Sequence, residues 1–106
     1  ERNSLRSSFE FLRKKWIVDL IYEIHLLKTP YYSDLHKHLP EINSRSLSNR
    51  LSELEDLGMI NREIKTGKPI RVYYELTDFG LGIYELLIPL LSFFSYNIFC
   101  ISFFLF

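Results

Sequence analysis

Apolar residues recur at spacings of three and four between Ser7 and Leu27, at Phe9, Leu12, Trp16, Leu20, Ile24 and Leu27. That period predicts one long amphipathic helix. Thr29-Pro30 ends it, because the residue before a proline is pushed out of helical conformation. Tyr31 and Tyr32 suit a short strand, and Ser33 then caps a second helix reaching about Leu39, where Pro40 stops it. After the turn Glu41-Ile42-Asn43, Ser44 is again a good cap. A third helix follows with Leu47, Leu51, Leu54 and Leu57 along one side, and Gly58 supplies its left-handed end.

The period then changes. Met59–Lys65 and Ile70–Leu76 read as strands, the second rich in Val and Tyr, joined by the turn residues Thr66-Gly67-Lys68-Pro69. Thr77 caps a fourth helix that opens Asp78-Phe79-Gly80 and runs into an apolar tail. Helix, short strand, helix, turn, helix, hairpin, helix is the order of a winged helix-turn-helix. The fold class expected is therefore mainly α (α+β), with a two-stranded wing hairpin and an apolar C-terminal helix. Residues 1–85 form the expected binding domain and residues 86–106 a dimerisation helix or membrane segment.

A chain of 106 residues has room for one domain, and 47% apolar against 25% charged residues is a globular composition. A domain this small is marginal alone, which favours pairing with a second copy. The formal net charge is zero, which excludes a polybasic non-specific binder. The charges are nevertheless segregated. Arg2, Arg6, Arg13, Lys14 and Lys15 crowd the start, Arg62, Lys65, Lys68 and Arg71 crowd the hairpin, and no charge follows Glu85. The single cysteine, Cys100, cannot form an internal disulfide, and the start of the chain does not read as an export signal. Both point to the cytoplasm.

In a helix-turn-helix the second helix of the pair enters the major groove. Here that helix is 44–57. With its leucines inward, Arg45, Ser48, Asn49 and Ser52 face out. These types suit base reading: arginine pairs with guanine, asparagine with adenine, and serine is permissive. Ser44 and Arg50 flank them and suit phosphates, as do Lys65, Lys68 and Arg71 on a wing spanning 65–71. Plain solvated surfaces remain the alternative for both the helix face and the hairpin tip.

Other residues carry less. His36 and His38 are two apart on a helix and point to different sides, so they cannot share a metal, and the thiolates zinc favours are missing. Glu53, Glu55 and Asp56 read as a solvated helix side, facing away from DNA. No glycine-rich phosphate loop or nucleophile elbow is present, so neither an enzyme nor a cofactor is expected.

Lys15-Trp16, then Tyr31-Tyr32-Ser33-Asp34-Leu35, resembles the opening of HxlR-type transcription regulators. Ile42-Asn43-Ser44-Arg45-Ser46-Leu47-Ser48-Asn49-Arg50-Leu51 resembles their recognition helix. Leu54-Glu55-Asp56-Leu57-Gly58-Met59-Ile60-Asn61-Arg62 and Pro69-Ile70-Arg71-Val72-Tyr73-Tyr74-Glu75-Leu76-Thr77-Asp78-Phe79-Gly80 are similar to the segments that follow. The resemblance spans about residues 12 to 95, and the neighbouring MarR and PadR regulators share parts of it. It implies a homodimer on pseudo-palindromic double-stranded DNA, with the first and last helices forming the interface. Electrophile-sensing members use a cysteine ahead of the Lys-Trp pair, which this chain lacks; the usual glycine there is replaced by Arg13-Lys14.

The tail from Leu86 to Phe106 carries no charge and, as a helix, is long enough to cross roughly 30 Å of hydrocarbon. Two expectations stand: burial in a dimer, or a membrane anchor facing the cytoplasm. With the second goes an alternative function, a membrane-tethered adaptor whose winged helix binds protein rather than DNA.

Overall fold

The computed structural model describes residues 2–105, with side chains described over 2–98. Glu1, Phe106 and the side chains of 99–105, the end of the apolar tail, lie outside the described residues. The elements run α1 (Arg2–Leu12), α2 (Ile17–Leu27), α3 (Tyr32–His38), α4 (Ser44–Asp56), β1 (Ile60–Lys65), β2 (Arg71–Leu76) and α5 (Asp78–Leu105). The chain is mostly helical with one antiparallel hairpin, as the sequence predicts.

The expected single first helix is two. Trp16 takes a left-handed conformation, φ 80°, which a continuing right-handed helix does not accommodate. The chain turns through 13–16 and the buried stripe restarts one residue later. Ile17, Leu20, Ile21 and Ile24 are buried, whereas Phe9 is 67% exposed. A turn that preserves the three-and-four spacing is invisible to a periodicity reading.

The core gathers those four residues with Leu35, Ile42, Leu47, Leu51, Leu54, Met59, Ile60 and Tyr74. It sits between α2, α3, α4 and the inner face of the hairpin. The hairpin pairs Ile60 with Leu76, Arg62 with Tyr74 and Lys65 with Arg71. The expected Tyr31-Tyr32 strand shrinks to one bridge, Tyr31 with Tyr73, backed by the Tyr74 amide donating 2.9 Å to the Pro30 carbonyl. Tyr32 already belongs to α3. The start of α3 is secured by the Asp34 carboxylate accepting from the Tyr31 amide at 2.9 Å, not by Ser33.

Asn43, rather than Ser44, caps α4. Its side chain accepts from the Ser46 amide at 2.8 Å, satisfying a donor the helix leaves open. At the other end Leu57 is 49% exposed. It follows the last helical residue and leaves the leucine stripe. Gly58, φ 77°, makes the left-handed exit.

Thr77 joins the hairpin to α5. Its hydroxyl donates 2.6 Å to the Gly58 carbonyl and accepts from the Gly80 amide at 3.1 Å, so one side chain caps α5 and ties it to the exit of α4. α5 then runs 28 residues without a break at 85–86, about 42 Å at helical rise.

Candidate nucleic-acid interface

The winged helix leaves two polar surfaces side by side, the outer face of α4 and the hairpin. Arg45, Ser48, Asn49 and Ser52 are all exposed because Leu47, Leu51 and Leu54, each at most 2% exposed, hold the opposite side in the core. One helical period therefore fixes both sets. Ser44 is exposed beside them at the first turn. Tyr32 reaches across from α3, its hydroxyl donating 3.2 Å to the Ser44 carbonyl and lying 3.3 Å from the Ser48 Oγ. The first helix of the pair thus braces the N-terminal turn of the second.

Residues 61–71 of the hairpin are exposed throughout, including Lys65 and Lys68. Arg71 is exposed but ordered: its guanidinium carbon lies 3.6 Å from the Tyr31 ring centre, and its Nη2 donates 3.5 Å to the Ser33 Oγ. Tyr31 is itself set edge-on to Tyr73 at 6.4 Å. Lys65 and Arg71 are register partners, so two cations share one rung near the tip.

Arg50 does not share the outer face. Its Nε donates 3.0 Å to the Lys15 carbonyl and its Nη1 donates 2.8 Å to Glu53. Lys14 completes the group, with Nζ 3.3 Å from the other Glu53 oxygen.

The structure adds a cleft between α4 and the hairpin that sequence reading misses. Tyr32, Ser48, Ser52, Glu55, Arg62, Val72 and Tyr74 line it, enclosing about 500 Å³. Ser48, Ser52 and Glu55 follow each other at four and three residues, one stripe along α4, so Glu55 points to the hairpin and not away from it. Arg62 and Tyr74 are register partners on the inner hairpin face. Burial raises the Tyr74 phenol above its usual pKa, while the neighbouring Arg62, bonded to it, pulls the other way. The signal was available as hairpin alternation, which puts residues 62 and 74 opposite each other once the turn is centred on Lys68.

The histidines are scattered. His25 stacks on Tyr84 at 3.8 Å, His36 faces Tyr32 at 6.4 Å, and His38 lies 3.7 Å from Glu23. Among the described residues no three potential metal ligands come together.

Residues 11–99 match the family described as HxlR-like helix-turn-helix. The helix-turn-helix-type transcriptional regulator YdzF of Bacillus subtilis strain 168 is 36% identical over 73 residues, 69% of this chain and 67% of the relative. YvaP of the same organism, also a helix-turn-helix-type transcriptional regulator, is 32% identical over 78 residues, 74% of this chain and 71% of the relative. A transcriptional regulator of the MarR family from Enterococcus faecalis V583 has a similar solved structure. It superposes with a TM-score of 0.83 at 27% identity, covering 96% of this chain and 92% of the other.

Proposed function

This chain belongs to the HxlR-like helix-turn-helix family of transcription regulators, and on that premise we propose that it reads double-stranded DNA as a homodimer. The recognition helix α4 enters the major groove, where Arg45, Ser48, Asn49 and Ser52 contact base edges. Ser44, Lys65, Lys68 and Arg71 hold the phosphate backbone, with the wing on the backbone or in the minor groove. The observation that carries this reading is the adjacency of an exposed polar helix face and an exposed basic hairpin. No cofactor enters it. The site of action is the cytoplasm.

Apolar exposure supports the dimer. No residue of α1 is buried, and Leu5 and Phe9 are 69% and 67% exposed. Along α5, Leu86, Leu90, Phe93, Phe94 and Tyr96 are each at least 60% exposed. Faces of that size are rarely left to water in a free monomer. The segment Asp78–Ile98 is also long and apolar enough to cross a membrane, with a mean hydropathy of 1.5. The helix of a subunit interface has the same composition, and the family match extends through this helix to residue 99. That continuity favours a subunit interface over an anchor.

The test is selection of bound fragments from random DNA, followed by titration of the selected fragment at rising salt. A recovered motif bound with a steep inverse salt dependence is expected. Retention of a protein partner with no DNA selected would support the adaptor reading instead.

A further inference from the structure

The flank of α4 away from the hairpin is tied to the turn between α1 and α2 by one guanidinium. Trp16 begins α2 with its carbonyl accepting from the Leu20 amide at 2.9 Å. The carbonyl before it, that of Lys15, lies outside the α2 ladder and accepts from the Arg50 Nε at 3.0 Å. The Arg50 Nη1 donates 2.8 Å to the Glu53 Oε1, and the Lys14 Nζ lies 3.3 Å from the Glu53 Oε2. Arg50 is only 25% exposed in its side chain and Glu53 31%. A planar fork meeting a carbonyl and a carboxylate at once is a geometry lysine cannot reproduce.

Leucine packing alone leaves a helix free to rock about its buried stripe. The Arg50 fork removes that freedom on one side, as the Tyr32 hydroxyl does on the other. It connects the helix proposed to read bases to the left-handed elbow from which α1 departs.

We propose that Arg50 is a positioning residue that sets the angle of the recognition helix against the α1–α2 elbow, rather than a phosphate contact. The inference rests on the DNA-reading function proposed above. A phosphate contact and a positioning contact have different signatures. Losing a phosphate contact lowers the salt slope by about one and weakens all sequences alike. Losing a positioning contact leaves the slope and costs discrimination.

The experiment compares the wild-type chain with Arg50→Lys, Arg50→Gln and Glu53→Ala, each titrated with the selected fragment and a scrambled one across salt. The expected result is a several-fold fall in the ratio of selected to scrambled affinity for all three, an unchanged salt slope on scrambled DNA, and no rescue by lysine. Simple loss of folded protein would lower both affinities together and leave their ratio unchanged. Glu53→Ala removes the fork's carboxylate partner while keeping the Arg50 charge, so it serves even if an Arg50 variant fails to fold. A slope lowered by about one in Arg50→Gln and restored in Arg50→Lys would overturn the inference, as would an unchanged ratio in Glu53→Ala. A wild-type chain that selects no DNA would instead overturn the wider reading, and this inference with it.

Discussion

The guanidinium of Arg71 lies flat against Tyr31, 3.6 Å from the ring centre, so the basic end of the hairpin is fastened to the entry of α3. With Arg71 exposed and Tyr31 half-buried, this cation–ring contact contributes about 1 kcal/mol. Removing the ring should therefore cost little folding stability but let the arginine wander. Tyr31→Ala is expected to weaken DNA binding a few-fold with the salt slope intact. Arg71→Ala should lower the slope by about one. Competition titrations at several salt concentrations distinguish the two, and equal slopes for both variants would remove Arg71 from the backbone contacts.

Base readers and backbone holders should separate in the same assay. Arg45→Ala and Asn49→Ala are each expected to cost about 1–3 kcal/mol on the preferred site and to relax choice at one base position. Lys68→Ala should weaken every sequence alike and reduce the salt slope by about one. The motive is geometric: Arg45 and Asn49 lie on the outward side of α4, while Lys68 sits at the hairpin tip. If either helix variant folds normally and keeps its full specificity profile, that residue does not read a base.

Much of this layout was legible in the chain itself. The leucine period of α4 fixed its outward face, and Gly58, Thr77 and the Thr66–Pro69 turn marked three boundaries correctly. Legibility failed where the chain bends without disturbing its apolar spacing. Trp16 continues the stripe of Phe9 and Leu12, so nothing in the pattern announced a left-handed turn there. It failed again for contacts between distant residues. The Arg50 to Lys15 bond spans 35 positions, and the cleft shared by Glu55 and Arg62 depends on how α4 packs against the hairpin. Capping was off by one at Asn43 because asparagine and serine are equally good caps, and only the Ser46 amide decides between them.

Two glycines in α5 should respond in opposite directions to the same change. A Cβ on Gly80 would overlap the Met59 carbonyl, a backbone atom that cannot rotate away, and would also crowd Leu76. At Gly82 a Cβ meets nothing within 4 Å. Alanine improves helix propensity by about 1 kcal/mol at either position. At Gly80 the overlap should outweigh that gain, since overpacking against a fixed neighbour typically costs about 1–3 kcal/mol. Gly80→Ala is expected to lower the denaturation midpoint and Gly82→Ala to raise it. Urea titrations of both variants check this, and a stabilised Gly80→Ala would mean that α5 does not approach Met59 so closely.

The apolar face of α5 must be covered by something. Its five exposed large side chains from Leu86 to Tyr96 represent on the order of 10 kcal/mol of burial, at roughly 1.5–3 kcal/mol each, too much to leave in water. If a second copy covers them, the full-length chain should sediment as a dimer without detergent. Truncation after Leu87 should then give monomer or aggregate and lose tight operator binding, because two half-sites are no longer held in register. If lipid covers them, the full-length chain should need detergent, and the truncated protein should stay soluble, dimerise through other contacts and bind DNA. Sedimentation of both forms, with and without detergent, separates the cases. The family match running to residue 99 and the bare apolar face of α1 beside the DNA-reading domain favour the first, so a detergent-free dimer is the expected outcome. Detergent dependence of the full-length chain would sink it.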